Sequence, residues 1–414
     1  MEIMHPRCAG IDISKRDAKV AVRIAQPGDA PIMEVRTFGA MTQDVLGLKD
    51  WLVDQRVTCV VMEATGSYWK QFFFLLEDEN FELLLVNARH VRNLPGRKSD
   101  VLDCQWLADL GAHGLVRASF VPPEPVRQLR DLTRLRTHLR REQAREKQRL
   151  EKVLEDAGIK LAAVVSDITG VSARLMLKGL VQGLDTDSLA ELARSGLRAK
   201  IPVLRQALNG RFNDHHRYLV LMLVERIDRT ESDIISIENQ IDSLMGPFRD
   251  TKQLLLTIPG VSNDTAEIII AETGGDMSVF PTAQHLVSWA GCAPGSNESA
   301  GKKKSTTTRP GNTYLKGAVG IVALQAARRN TTYLSALYRR ISPRRGPVKA
   351  LVAVENSVLT AIWHMLTNNE PYEDLGPDYY QKLDPEKAVN NMVKRLRNLG
   401  YEATLTPLTP AIAG

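Results

Sequence analysis

Cysteine is scarce in this chain: four residues in 414, at positions 8, 59, 104 and 292. They are scattered and form no CxxC pair, so neither a disulfide framework nor a zinc site is indicated. Also missing is any run of about 18 uncharged apolar residues, and no transmembrane helix is expected. The opening MEIMHPRCAGID lacks the basic, apolar and small-residue sections of a secretion signal, so the expected compartment is the cytoplasm. No internal repeat is visible. What is there is ordinary for a globular protein. A hydrophobic content of 43% with 25% charged residues excludes wholesale disorder. The length calls for two or three folding units rather than one core.

A further absence lies in the charge map. From Lys302 to Lys349 there are twelve Lys and Arg and no acid. From Arg127 to Lys152 there are ten Lys and Arg against four acids, Asp131, Glu142, Glu146 and Glu151. The whole chain is only +6, so the remainder must be acidic. Such segregation is expected of a protein with two surfaces that face polyanions. A solvated helix face would explain the first stretch as well, but not the second.

Residues 7–122 read as α/β. Apolar runs predict strands at Ala9–Ile13, Ala18–Ile24, Met33–Thr37, Cys59–Met62 (ending at Glu63) and Glu82–Val86, with helices at Gln43–Asp54, Tyr68–Glu79 and Ser99–Leu110. Pro122-Pro123 marks a boundary. Glu124 to about Ala157 reads as one long charged helix with a stripe of Leu129, Leu132, Leu135 and Leu139, stopped by Gly158. Short helices over 159–210 and a second long helix over 211–246 would return along it, making a coiled-coil arm over 123–250. Residues 251–366 form a helical unit, and 367–414 an accessory tail.

Carboxylates carry the chemistry. Asp12 follows an apolar strand in AGIDISK, and Glu63 ends another in VVMEATGSYW. Asp100 and Asp103 sit three apart in KSDVLDCQWLADL, which places both on one helix face. Acids at strand ends plus a helical pair can hold two Mg²⁺ ions, which stabilise the attacking and leaving oxygens of in-line displacement at phosphorus. Singly, each acid is as well explained as a cap or turn residue; Glu82 and Asp109 show how plentiful acids are. The order strand-Asp, strand-Glu, helix-AspxxAsp resembles ribonuclease H-like nucleases of the Holliday-junction-resolvase type.

AGIDISK, MEATGSYW and KSDVLDCQWLADL resemble the Asp-Glu-Asp-Asp transposases of bacterial insertion sequences, the family numbered one-ten. SDITGVSARLMLKGL, LLTIPGVSNDTAEIIIAETG and HLVSWAGCAPGSNESAGKKKSTTTRPGNTYLK continue the likeness in family order from residue 7 to 366. The resemblance implies a ribonuclease H-like α/β domain over 7–122, a coiled-coil arm, a mainly α-helical serine-containing transposase domain over 251–366, and a DNA recombinase activity. The family's nucleophilic serine lies five residues beyond a proline, which maps from Pro294 onto Ser299. The pattern has Gly directly after that serine, whereas Ala300 and Gly301 follow here, leaving Ser296 and Ser305 as competitors.

Serine needs activation, and a metal site or Lys302, Lys303 and Lys304 would supply it. On composition alone the same segment reads as a loop that only touches phosphates. Arg309, Asn312 and Lys316 flank a helix start suited to a phosphate. Gly260, in the IPGVS turn, resembles a helix-hairpin-helix phosphate grip, with a purely structural corner equally open. Arg134, Arg141 and Arg145 on the long helix are candidate nucleic-acid contacts. Trp69, Trp106 and Trp289 are expected in cores rather than on bases, and His215-His216 as exposed helix residues.

The resemblance further implies donor and target DNA as substrates, an element-encoded structured guide RNA that supplies sequence choice, and dimers assembling to tetramers with composite sites. Two other readings stay open on the residues: a metal-only junction endonuclease using water, and an actin-like sugar kinase suggested by AGIDISK. The kinase lacks a second phosphate motif and leaves the basic C-terminal unit unexplained.

Overall fold

Five apolar stretches pair into one mixed sheet. The computed structural model describes residues 3–26, 28–64, 66–87, 100–295, 297–299, 302–305 and 307–405, with the backbone alone at 100–102, 297–299 and 302–305. The strands are β1 (Arg7–Ile13), β2 (Asp17–Ile24), β3 (Ile32–Gly39), β4 (Cys59–Glu63) and β5 (Glu82–Val86), in the order β3-β2-β1-β4-β5. β1–β2 and β2–β3 are antiparallel neighbours. Helices at Thr42–Asp54 and Trp69–Leu76 carry the chain over so that β4 and β5 run parallel to β1. The expected strands are therefore present, each within two residues of its predicted ends. The helix expected from Ser99 runs Asp100–Ala112, with Ser99 outside the described residues.

The chain divides at Val121/Pro122 into two units, where the proline pair predicted a boundary. The second unit is helical. Its spine is a pair of long antiparallel helices, Glu124–Asp156 and Asp214–Leu244. At one end Leu129 and Ile241 join a core built from residues 245–365. At the other, Leu150, Leu154, Val220, Leu223 and Ile227 pack with the short helices between them.

The seam of the first long helix follows the predicted leucine stripe only in part. Leu129 is buried and Leu132 packs against the core, but Val126, Thr133 and Arg136 are buried too, while Leu135 is 48% exposed. Steps of three residues fall back about 60° each on a 3.6-residue helix, so Leu135 has rotated off the face that steps of three and four hold. His216 also departs from expectation. It is buried, forms a capping box with Asn213, and its Nε2 lies 3.0 Å from Asp156 Oδ2. His215 is exposed as expected.

Trp69, Trp106 and Trp289 are half-buried and packed against apolar clusters. Among the described residues one helix, Pro347–Asn368, is long and apolar enough to cross a membrane, which reading by uncharged runs overlooked because Lys349 and Glu355 interrupt it. Its Val354, Val358, Leu359 and Ile362 lie in the core of the second unit. The tail contributes an exposed helix, Pro385–Asn398.

Candidate active site

Strand alternation sorts β1 and β4 onto two faces. Ala9, Ile11, Ile13, Val60 and Met62 enter one core, while Cys8, Cys59 and Val61 point to the other side, against Leu107 and Leu110 of the Asp100–Ala112 helix. By the same period of two, Asp12 and Glu63 belong to the helix-covered face. Ile11 is in register with Met62, so the two acids, one residue further along, stand level on adjacent strands.

Glycine lets the helix come down onto this face. A Cβ at Gly10 would lie 2.1 Å from the Cys104 carbonyl oxygen, and one at Gly111 would lie 2.7 Å from Cys8 Sγ. These approaches also fix direction: Gly111 lies over Cys8 and Cys104 over Gly10, so the helix runs antiparallel to β1. Two strand residues span about 7 Å and four helical residues about 6 Å. The first helical turn, carrying Asp100 and Asp103, therefore begins level with Asp12. The Cys104 thiol records the neighbourhood, being raised above its ordinary pKa by burial and then by the Asp12 carboxylate. Asp12, Glu63 and Asp103 are each half-buried. The fold thus gathers the backbones of all four predicted acids at one end of the sheet; the Asp100 side chain lies outside the described residues.

The serine candidate lies in the second unit. Asn297–Ser299 and Lys302–Ser305 form a two-stranded hairpin in which Ser299 pairs with Lys302 and Glu298 with Lys303. Sequence reading gave a loop here, because strands of three and four polar and basic residues have no apolar alternation to betray them. Ser296 lies outside the described residues, as do the side chains of Ser299, Lys302, Lys303, Lys304 and Ser305. The hairpin's stem is bolted: Gly295 N donates to Thr307 O (3.2 Å) and Asn312 N to Trp289 O (3.1 Å).

Several expected phosphate contacts have other employment. Lys316 Nζ donates to Gly291 O (3.0 Å) and Thr308 Oγ1 (3.1 Å), tying the stem together. Asn312 caps the Thr313–Arg328 helix, its Oδ1 accepting from the amides of Tyr314 (3.1 Å) and Leu315 (3.0 Å), while its Nδ2 donates to Glu272 (2.6 Å). The helix start expected to receive a phosphate is thus already capped by its own side chain. Arg134 donates through Nε and Nη2 to both oxygens of Glu272, at 2.8 Å each, and stacks over Tyr314. Gly260 has φ +97°, and a Cβ there would meet Gln325 Cβ at 3.2 Å. Its turn is seated on the Thr313–Arg328 helix, as a structural corner would be. Arg141, Arg145 and Arg309 are exposed.

Sequence reading missed three buried acids of this region, Glu267, Glu272 and Glu355. Glu272, fully buried, gathers Arg130, Arg134 and Asn312. Glu355, 8% exposed, accepts from the Cys292 thiol at 3.5 Å. Burial raises the Glu355 carboxyl, and burial followed by Glu355 pushes Cys292 up to about 12. Acids inside apolar helical runs, as in AEIIIAET, were the available signal.

Comparison with known proteins bears on the same segments. Residues 9–159 match the DEDD transposase family of IS110, and residues 252–339 match the transposase family IS116/IS110/IS902. The transposase for insertion sequence element IS1111A of Coxiella burnetii is 25% identical over 329 residues, 77% of this chain and 80% of that protein. The IS110 uncharacterized 43.6 kDa protein of Streptomyces coelicolor is 28% identical over 143 residues, 34% of this chain and 35% of that one. A putative transposase of Sinorhizobium fredii is 28% identical over 123 residues, covering 28% and 32% of the two chains. A chain with this sheet end, matched along both units by the same family, belongs to the IS110 family of DEDD transposases, the enzymes that move insertion sequences.

Proposed function

We propose that the chain cuts and rejoins DNA strands through Ser299, assisted by Mg²⁺ held at Asp12, Glu63, Asp100 and Asp103, at sites chosen by a structured RNA encoded in the element. The observation that carries this reading is the gathering of Asp12, Glu63 and the first turn of the Asp100–Ala112 helix at one end of one sheet face. The strand order, with β2 antiparallel between β3 and β1, supports a ribonuclease H-like domain. An all-carboxylate donor set suits a hard, oxygen-seeking ion. Such an ion, when bound, supplies charge stabilisation at a phosphodiester under attack.

The protein's own part runs as follows. Ser299 Oγ attacks phosphorus, the Oγ–P bond forms, and the bond to the departing 3′ oxygen breaks. That oxygen leaves as a hydroxyl with the proton the serine gives up. A 3′ hydroxyl of another strand then attacks the phosphoserine, restoring the serine and exchanging the strands. Lys302, paired with Ser299 across the hairpin, brings positive charge to the phosphate. Few base-reading features accompany the basic C-terminal span, which supports an outside source of sequence choice such as a paired RNA. By the same family likeness, the protein works in the bacterial cytoplasm as dimers that assemble to tetramers on donor and target DNA.

Trapping of covalent protein–DNA adducts tests the serine. Ser299→Ala should form none while still binding RNA, and adducts at wild-type level would remove Ser299 from the role. Asp12→Ala should lose Mg²⁺-dependent strand cleavage; retained cleavage would remove the carboxylate assignment. Sequencing RNA that co-purifies with the protein should recover structured RNA from the element's flank, whereas a random cellular sample would overturn guidance.

A further inference from the structure

The end of the sheet away from the carboxylates holds a different set of donors. Cys8, Cys59 and Glu82 form one row across β1, β4 and β5, since Cys8 is in register with Cys59 and Cys59 with Glu82. In-register residues of parallel strands project to the same side, about 4.8 Å apart. His5 lies at the head of this row. Its backbone amide, with that of Met4, donates to Ala112 O (3.1 and 2.9 Å), and its Nε2 is 3.3 Å from a Glu82 carboxylate oxygen. One donor atom each from His5, Cys59 and Glu82 lies within 4.8 Å of the other two.

We infer that His5 Nε2, Cys59 Sγ and the Glu82 carboxylate form a site for one zinc ion, distinct from the carboxylate cluster around Asp12. Imidazole, thiolate and carboxylate together are a borderline set that favours Zn²⁺ over Mg²⁺. The 3.3 Å between nitrogen and oxygen equals the edge of a tetrahedron whose bonds are about 2.0 Å. Asp12 is four residues further along β1, about 13 Å away, so the two sites do not share ligands. Cys8 lies buried beside the site, in register with Cys59, and is not one of the three converging donors. Glu82 is 56% exposed at its side chain, which gives the ion a way in and leaves its fourth position to water. On binding, Cys59 releases its thiol proton to solvent. The ion would staple the segment before β1 to β4 and β5.

The test uses the full chain, stripped with chelator and then titrated with Zn²⁺ and separately with Co²⁺. Wild type should retain one zinc per chain after gel filtration, and Co²⁺ should give a thiolate-to-metal charge-transfer band. Cys59→Ser should lose both. His5→Ala, a milder change at the segment before β1, should lower the affinity at least tenfold while the far-ultraviolet spectrum stays native. Asp12→Ala should retain the zinc and the band. Wild type with no retained zinc and no cobalt–thiolate band would overturn the site, leaving His5 and Glu82 as a plain ion pair. Equal zinc retention by Cys59→Ser would overturn it too.

Discussion

Replacing Glu272 with Gln would test whether the long helix is held to the helical core by buried charge. The carboxylate is fully buried and receives Arg134 twice at 2.8 Å, Asn312 at 2.6 Å and Arg130 at 3.5 Å. Glutamine keeps one acceptor and turns the other into a donor that faces donors. At least one charge-assisted bond is lost, worth about 1.5–3 kcal/mol, and two arginines lose their counter-charge. Removing one partner of a buried pair costs about 3–5 kcal/mol. That figure must be reduced here, because Arg134 is 36% exposed and water screens it. Arg130 also retains the carbonyls of Ala271 and Glu272. The balance is a loss of about 3 kcal/mol, or a melting temperature lower by about 5 °C. Urea unfolding of the full chain would measure it, with hydrogen exchange of the Asn263–Thr273 amides to localise it. A double-mutant cycle with Arg134→Ala should give a coupling of about 1–3 kcal/mol. A loss below about 1 kcal/mol, or additive single variants, would refute the reasoning.

Three other outcomes are expected. Burial acts to raise the Asp264 carboxyl, but Arg140 and Arg136 more than offset it and hold it below the ordinary range. A depressed carboxyl adds stability above its unfolded value near about 3.9 and loses it as pH falls through the lower folded value. Asp264→Asn should therefore destabilise at neutral pH and show a shallower decline between about pH 4 and pH 2 in acid unfolding. Gly10→Ala would drive a methyl to 2.1 Å from the Cys104 carbonyl. It should destabilise by about 1–3 kcal/mol in urea melts and depress strand cleavage by displacing the Asp100–Ala112 helix. Asn312→Ala removes a cap and a partner of Glu272. Chemical denaturation should register about 1–2 kcal/mol, and an effect under 0.5 kcal/mol would count against the capping role.

The five strands were legible because each is a short apolar run with a turn beside it, and the order of Asp12, Glu63, Asp100 and Asp103 was legible because it is linear. Their meeting at one sheet end depends on Gly10 and Gly111, whose significance appears only once helix and strand are stacked. The hairpin at Ser299 escaped notice because its strands carry no apolar alternation. The long helix was found but its seam was misread in part, since Thr133 and Arg136 are buried in it beside the leucines. Arg134 and Lys316 read as spare charge because their partners are remote: Glu272 lies 138 residues from Arg134, and Gly291 lies 25 from Lys316. No local window reports such pairings.

The arginines of the long helix therefore bear on how tightly a nucleic acid can be held. Of ten basic residues between Arg127 and Lys152, Arg130, Arg134, Arg136, Arg140, Lys147 and Arg149 are paired with carboxylates within the protein, Arg127 donates to the Pro122 carbonyl, and Arg141, Arg145 and Lys152 face solvent. A basic side chain that has given its charge to a carboxylate displaces no condensed cation when a duplex or a folded RNA arrives. Each neutralised phosphate steepens the dependence of log affinity on log salt by about 0.9 for duplex DNA. If a nucleic acid lies along it, this helix would contribute a slope closer to four ions than to ten, and most of the ionic grip would fall to the acid-free stretch that begins at Lys302.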